Sequence, residues 1–322
     1  MPVSLQIPKK TWSGAVQEVT LGATPDEGGT RGRRVTVGGE TTLPFLHFEG
    51  EIPHRPVVAV EVFDREPDDW PLLLLEAWGD VLLEPGAWAA HAEEEGADVI
   101  VVRLSLSHVD GTPTSAAGAR STVRRVLDAT PLPLIVFGPG QANADAELLR
   151  AVAEEAEGER IALGICEENH YREIVEAALE HDHLVTARSP MDVNLCKQLN
   201  ILITDVGLPA DRILMDPTTA SLGYGLEYGY SVMERLRLAA LQGDRMTQMP
   251  MLVTPGAEVW RQKEARVGDG VPASWGSWEE RAVLWETMTA TTLLEAGADI
   301  VTVRHPDTVR QVQTFIQRLM EG

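Results

Sequence analysis

Cysteine and basic residues are both scarce in this chain of 322 residues. Its two cysteines are too few for the four thiolates of an ordinary iron–sulfur cluster or a cysteine-only zinc site, and too few for a secreted disulfide framework. Lysine and arginine number 27 against 49 acidic residues, which gives a formal net charge of −22. Because phosphates would be repelled rather than neutralised, we expect neither nucleic acid nor an anionic membrane as a partner.

Long apolar runs are also missing. The first ten residues lack the apolar core of a signal peptide, and no uninterrupted stretch approaches the length of a membrane span. A cytoplasmic protein is therefore expected. Hydrophobic residues still make up 44% of the chain, so a sizeable core can form.

The first part of the chain has a pattern of its own. Residues 15–21 and 34–37 alternate apolar and polar side chains, and Gly28-Gly29 lies between them. This pattern is typical of a β-hairpin, so residues 1–56 are predicted to form an N-terminal β extension.

From residue 57 onwards, short apolar strands alternate with helical patterns. Continuous apolar runs suit strands that are buried on both faces of a parallel sheet. No G-x-G-x-x-G turn follows the first strand, which argues against a doubly wound open sheet. Residues 57–322 are therefore predicted to form an α/β domain, a (β/α)₈ TIM barrel. The eight predicted strands are residues 57–62, 98–103, 134–137, 160–164, 183–187, 212–215, 251–254 and 299–303.

The loop after the fifth barrel strand is rich in hydrogen-bonding groups. Ser189, Asp192 and Asn194 precede a helical pattern and could offer hydrogen bonds to the amide groups of a ligand, above the barrel. Asp192 is equally well placed to cap that helix. Both interpretations stay open at this point.

The loop after the sixth barrel strand has a similar character. Asp216 lies at the end of the strand, where a carboxylate is expected to line a site rather than fill the core. The glycines on either side of Tyr224 would let the backbone approach a flat partner, although a tight turn around a core tyrosine is the alternative. The candidate binding residues of this loop are Asp216, Thr218, Thr219, Leu222, Gly223, Tyr224 and Gly225.

Two further segments lie at the predicted rim. The acids of Cys166–His170 could contribute to a metal site, but favourable placement near a helix start explains them better. His305 could contact a ligand or cap the last helix, which Pro306 can open. No nucleophile–base pair can be assigned, so we predict no catalytic residue and no metal ligand. The pattern indicates a docking surface.

At these residues the chain resembles the small (delta) subunit of the corrinoid iron–sulfur protein of the CO dehydrogenase/acetyl-CoA synthase complex. The resemblance runs from about residue 50 to the end of the chain, and the chain departs from the family's pattern at Cys166, His170 and Cys196. The matching segments are Ser189–Asn200, Asp216–Thr219, Leu222–Tyr228, Ser231–Arg235, Glu258–Ala265, Trp275–Gly276, Ala296–Ile300 and Arg304–Pro306.

The resemblance implies a heterodimer with a large subunit that carries the iron–sulfur cluster and a cobalamin-binding domain. Cobalamin would lie between that domain and this barrel, with no cluster on this chain. The implied role is to cap the corrinoid while it carries a methyl group from methyltetrahydrofolate to acetyl-CoA synthase in the reductive acetyl-CoA pathway. The methyltetrahydrofolate methyltransferase and acetyl-CoA synthase would be transient partners.

A different class of function remains open on the residues alone. Glu61, Asn194 and Asp216 at strand ends could accept hydrogen bonds from the donor-rich edge of a pterin, as in a stand-alone methyltetrahydrofolate methyltransferase.

Overall fold

Eight parallel strands close into a barrel, and a short antiparallel pair precedes them. A computed structural model describes residues 7–108 and 110–321. The predicted TIM barrel with an N-terminal hairpin is confirmed, whereas the expectation about the first ten residues falls partly outside the described ranges. In chain order the strands are β1 (Val19–Leu21), β2 (Val35–Val37), β3 (Val57–Phe63), β4 (Val99–Arg103), β5 (Leu134–Phe137), β6 (Ala162–Cys166), β7 (Leu184–Arg188), β8 (Ile213–Asp216), β9 (Met251–Val253) and β10 (Ala298–Val303).

Helices connect the barrel strands and cover their outer face. Within the described ranges, none is long and apolar enough to cross a membrane. The α-helices are α1 (Leu72–Trp78), α2 (Pro85–Glu94), α3 (Ala116–Ala129), α4 (Ala142–Glu155), α5 (Tyr171–Glu180), α6 (Val193–Val206), α7 (Leu226–Leu241), α8 (Pro255–Val259), α9 (Lys263–Arg266), α10 (Trp278–Glu295) and α11 (Pro306–Met320).

The predicted strand positions are confirmed to within two residues. The largest difference is at β6, which begins two residues later than predicted. Gly158 and Arg160 have φ angles of 83° and 51°, so the chain is still turning where the apolar run starts. The barrel closes where β10 pairs in parallel with β3.

Alternation along each strand decides which side chains enter the barrel. In β3, Val58 and Val60 pack in the layer beneath the helices, whereas Val57 and Ala59 belong to the core inside the barrel. Glu61 follows on the interior face, since successive side chains of a strand point to opposite sides. The same period brings polar strand ends together at the carboxyl end of the barrel.

The hairpin covers the amino end of the barrel. β1 and β2 pair antiparallel, with Val19 opposite Val37. Their buried side chains share one apolar core with the interior residues of the barrel strands. The predicted domain boundary at residues 56 and 57 stays a prediction. The hairpin side chains that share the interior core of the barrel are Val19, Leu21, Val35 and Val37.

Two sets of buried ion pairs fix the N-terminal extension to the barrel. Arg31 Nε lies 2.8 Å from Glu159 Oε2. Arg237 joins Glu40 of the extension, at 3.1 Å, to Asp299 of β10, at 2.9 Å. The N-terminal extension therefore covers the amino end of the barrel and leaves the carboxyl end uncovered by it.

Candidate functional site

A buried glutamate holds two arginines at the carboxyl end of the barrel. Glu61 Oε1 accepts a hydrogen bond from Arg103 Nε, and Oε2 accepts one from Arg304 Nε, both at 2.5 Å. Burial raises the pKa of Glu61, but the two guanidinium charges and their hydrogen bonds outweigh it and lower the pKa to about 2. Glu61 is therefore ionised at neutral pH and fixes the position of both arginines.

A second carboxylate–arginine pair lies across the mouth. Arg188 ends β7, and its Nε donates to Asp216 Oδ2 on the neighbouring strand at 2.7 Å. The other oxygen of Asp216 accepts from the backbone N–H of Thr218 at 2.9 Å. Burial is the largest single influence and lowers the pKa of Arg188, but the charge and hydrogen bond of Asp216, together with the charges of Glu167 and Glu258, raise the pKa above its ordinary value. Asp216 is fully buried and acts through Arg188 on the space above.

Aromatic rings support the faces of the guanidinium groups. The Arg304 guanidinium lies 5.4 Å from the ring centre of Phe63 and 5.1 Å from that of Trp70. The Arg103 guanidinium lies 5.3 Å from the ring centre of Phe137. Such stacking restricts the planar groups and leaves their edges available for hydrogen bonds.

These arginines enclose a cavity of about 200 Å³ at the centre of the mouth. Its wall combines cationic strand ends with hydroxyl groups from the loops after β8 and β9. The cavity is lined by Phe63, Asp69, Arg103, Arg188, Thr218, Thr219, Thr254, Ala257, Glu258, Arg261 and Arg304.

A wider and more open hollow of about 540 Å³ adjoins this cavity, and Arg188 and Thr218 lie between the two. Its floor is mainly apolar, and its edge carries acidic and amide groups from the loop after β6. The hollow is lined by Glu167, Glu168, Asn169, Arg188, Ser189, Pro190, Leu195, Leu199 and Thr218.

The loop after β7 begins α6 beside this hollow. Asp192 caps the helix, since its Oδ1 accepts from the N–H groups of Asn194 and Leu195 at 2.8 and 3.0 Å. The side chain of Asn194 is exposed at the first turn. Ser189 is buried, and its hydroxyl has no partner among the described residues.

The loop after β8 is held in a defined conformation. Thr218 has a φ of 66°, which is unfavourable for a β-branched residue, and its hydroxyl donates to the Ser189 carbonyl at 2.5 Å. Thr219 Oγ1 accepts from the N–H of Thr254 at 2.7 Å. These bonds join the loops after β7, β8 and β9 into one rim.

Tyr224 lies at the tip of this loop and is 48% exposed, so it is no core residue. Gly223 and Gly225 have φ angles of 76° and 95°, which place the ring on the surface and start α7. The hydroxyl of Tyr224 lies 3.4 Å from Glu264 Oε1. Leu222 is half-buried, and its carbonyl accepts from Trp285 Nε1 at 3.1 Å.

Exposed apolar side chains continue from Tyr224 across the starts of α6 and α7. Methionine, leucine and tyrosine side chains of this size are rarely left exposed together without a function. We call this group, with Asn194 among it, the rim surface. Its apolar members are Met191 (40% exposed), Leu195 (38%), Tyr224 (48%) and Tyr228 (67%).

His305 lines neither the central cavity nor the open hollow. It is the N-cap of α11, where Nδ1 accepts from the N–H of Asp307 at 3.1 Å. Its ring stacks on Trp260 at 5.9 Å between centres, and burial lowers its pKa. Pro306 begins the helix, as predicted.

The three residues expected to depart from the family's pattern lie near the rim. Cys166 and Cys196 are buried, and burial raises the pKa of both thiols, that of Cys196 to about 11. His170 Nε2 lies 3.2 Å from the carbonyl oxygen of Ile165. Within residues 7–108 and 110–321, no three side chains of the histidine, cysteine and acidic types come together as a metal site.

The structure thus joins most of the predicted residues into one rim. Ser189, Thr218 and Thr219 line the hollow spaces directly, Asp216 lies beneath them, and His305 caps a helix elsewhere. Sequence reasoning did not select Arg103, Arg188 and Arg304. The alternation of side chains along a strand could have predicted these three arginines. Each lies two residues after a side chain that points into the barrel, and so points the same way. The three series are Val99, Val101, Arg103; Leu184, Thr186, Arg188; and Ile300, Thr302, Arg304.

The architecture places the chain in the class of (β/α)₈ barrels that includes dihydropteroate synthases. The Xanthomonas albilineans dihydropteroate synthase with 4-aminobenzoic acid aligns with a TM-score of 0.56 at 16% identity, over 83% of this chain and 94% of that one. The same enzyme in complex with 7,8-dihydropteroate gives a TM-score of 0.54 at 17% identity, over 83% and 95% of the two chains. At these identities the similarity concerns the fold alone.

The chain belongs to the CO dehydrogenase/acetyl-CoA synthase delta subunit family, whose model matches residues 18–312. Delta subunit 1 of the acetyl-CoA decarbonylase/synthase complex of Methanosarcina thermophila is 40% identical over 315 residues, which cover 96% of this chain and 71% of that protein. The Methanopyrus kandleri delta subunit is 39% identical over 311 residues, covering 96% and 76%. The family resemblance inferred from the sequence is confirmed.

Proposed function

We propose that this chain caps a corrinoid, cobalamin, that is carried by the large subunit of a heterodimeric corrinoid iron–sulfur protein. The observation that carries the proposal is the rim surface beside the open hollow of about 540 Å³, in a chain of the delta family. A concave, partly apolar surface with a few polar groups suits a large flat ligand. The hollow is too open to enclose such a ligand alone, which favours a shared interface.

The donor set fits this group. A corrin ring is apolar across its face and fringed with amides, which both donate and accept hydrogen bonds. On this chain, Met191 and Leu195 supply apolar contact, while Asn169 and Asn194 supply amides at the edge. The buried hydroxyl of Ser189, which lacks a partner among the described residues, faces the same hollow.

The chemistry of methyl transfer belongs to the cofactor. When bound, cobalamin would supply the cobalt chemistry for methyl transfer between methyltetrahydrofolate and acetyl-CoA synthase. The residues of this chain orient the macrocycle and exclude water from one side of it. Because the methyltransferase and acetyl-CoA synthase must reach the same centre in turn, the contact with the rim surface has to be weak enough to open.

The iron–sulfur cluster is assigned to the large subunit in this proposal. The two cysteines of this chain cannot supply four thiolate ligands, and both thiols are buried. The chain itself then acts as a non-catalytic subunit.

The rival pterin-binding function is disfavoured by the state of its carboxylates. Both oxygens of Glu61 are bonded to arginines, and both oxygens of Asp216 are bonded to Arg188 and Thr218. Both carboxylates are also buried, so a pterin edge would have to share oxygens that these internal bonds already use.

The test is cobalamin retention in the heterodimer. The chain would be co-produced with its large subunit, and the corrinoid absorption per heterodimer measured after gel filtration. The variant Met191→Ala/Tyr224→Ala removes exposed contacts without touching the core, and we expect it to retain less cobalamin. Met288→Ala is the matched control, since Met288 is 51% exposed in the middle of α10 and lies outside the rim surface.

Unchanged cobalamin content in the rim variant would overturn the capping role and support a purely structural scaffold. A parallel titration of the isolated chain with methyltetrahydrofolate addresses the rival function. Tight binding in the absence of the large subunit would favour the stand-alone methyltransferase.

A further inference from the structure

We propose that the central cavity bounded by Arg103, Arg188 and Arg304 is a binding site for a small oxyanion that bears a phosphate or carboxylate group. This site lies inside the barrel mouth, next to the rim surface. The proposal goes beyond corrinoid capping and does not depend on it.

The hydrogen bonds of the three arginines leave donors for a ligand. Each uses Nε to bind a carboxylate, Glu61 for Arg103 and Arg304, and Asp216 for Arg188. The two terminal nitrogens of each guanidinium have no acceptor among the described residues. A guanidinium fork matches the geometry of a carboxylate or phosphate. The anchored Nε groups therefore pre-organise the free edges around one space.

The terminal nitrogens of Arg304 belong to a side chain that is largely buried. Arg304 is only 7% exposed, and yet it lines the cavity. Its terminal nitrogens open onto the cavity, where they can donate to an anion, and hydrogen bonds between charged groups are stronger than those between neutral ones. An oxyanion in the cavity would supply the missing acceptors.

The charge balance also favours an anion. Three guanidinium charges face the two buried carboxylates of Glu61 and Asp216, so one positive charge is in excess among these innermost groups. The carboxylate of Glu167 also acts on Arg188, from the adjoining hollow. Farther out in the lining, Arg261 pairs with Glu258 at 2.9 Å. Asp69 also lines the cavity, but it is exposed and therefore solvated.

The size of the cavity restricts the ligand. Its volume of about 200 Å³ equals that of roughly six or seven water molecules. Pockets for drug-sized ligands are larger, on the order of 300–1,000 Å³. An intact pterin conjugate or corrin is therefore too large for this cavity, whereas a small oxyanion fits and can contact hydroxyls of Thr219 and Thr254 on the wall.

The test is isothermal titration of the full chain with inorganic phosphate in one arm and malonate in the other, at ionic strength held constant with chloride. We expect saturable binding to one site per chain in at least one arm. The arm with tighter binding identifies the phosphate or the carboxylate as the preferred group. In Arg103→Gln, binding should weaken roughly tenfold because one charge-assisted hydrogen-bonding fork is lost.

Arg103→Gln is chosen because Glu61 keeps Arg304 as a partner in that variant. The control is Arg120→Gln, which removes an arginine that pairs with Glu154 on the outer helices. Absence of saturable binding in both arms would overturn the proposal, and so would equal weakening in the two variants.

A second measurement uses the wild-type chain and so does not depend on the folding of a variant. Phenylglyoxal would modify exposed arginine edges, and peptide mass spectrometry would locate the adducts. The bound anion should slow modification of Arg103 and Arg188 but not of Arg120. Equal rates with and without the anion would refute the site, while leaving corrinoid capping untouched.

Discussion

The substitution Glu61→Gln tests whether one buried carboxylate holds the barrel mouth together. Glu61 accepts hydrogen bonds from Arg103 and Arg304, and glutamine has nearly the same shape but no charge. In the variant the two guanidinium groups lose their counter-charge, so the free energy of unfolding should fall at neutral pH.

The magnitude follows from the ionisation of Glu61. Its pKa is lowered from 4.5 to about 2 in the folded chain, which corresponds to roughly 3 kcal/mol of stability. Because the folded-state pKa is the lower one, this contribution is fully present above the unfolded value of 4.5. It is lost as the pH falls from 4.5 towards 2, and about half of it is gone near pH 3.

The assay is urea denaturation of the wild-type chain and of Glu61→Gln at a series of pH values from 7 down to about 3. Other acids titrate equally in both chains, so the difference between them isolates Glu61. We expect that difference to be about 3 kcal/mol at pH 7 and to shrink with acidification. Glu234→Gln, which changes an exposed glutamate of α7, is the control. A difference for Glu61→Gln that stays constant across the pH series would refute the reasoning.

Three further predictions concern stability and reactivity. Arg31→Met should destabilise the chain by about 3–5 kcal/mol in urea denaturation, because Glu159 is left buried without its partner; a loss below about 1 kcal/mol would contradict this. Asp192→Ala should lower the free energy of unfolding by about 1 kcal/mol, and Asp192→Asn should lower it much less, since asparagine also caps helices. Equal losses in the two variants would argue against the capping role. Iodoacetamide should alkylate Cys166 and Cys196 only in denaturant, because burial raises the pKa of both thiols; rapid labelling of the native chain would show that they are accessible.

Much of the architecture could be predicted from the sequence because it depends on short, regular patterns. Eight apolar runs predicted the eight barrel strands, and two of these runs follow a glycine at a helix end, Gly96 and Gly297. Both glycines have the left-handed φ angles that such ends require, 101° and 107°. The alternation of residues 15–21 and 34–37 likewise predicted the hairpin, although only three residues of each segment pair.

The chemistry of the mouth was harder to predict, because it depends on pairs that are distant in the chain. Glu61 and Arg304 are separated by 243 residues and meet only because β3 and β10 close the barrel. Asp216 was expected to line the site, but it is covered by Arg188, whose position follows from strand register. The capping of α6 by Asp192, in contrast, is local, and the sequence already offered it as one interpretation.

The distribution of charge explains how one barrel end can hold two different surfaces. Inside the mouth, arginines are fixed on Glu61 and Asp216, and water competes poorly with these buried bonds. Outside it, Met191 and Tyr224 are exposed and uncharged, so a partner can bind and leave without breaking an ion pair. Thr218 connects the two regions, since it lines both hollow spaces and is bonded to Asp216. Arg188 also lines both spaces, so a ligand that moved the Arg188–Asp216 pair would shift the edge of the open hollow as well.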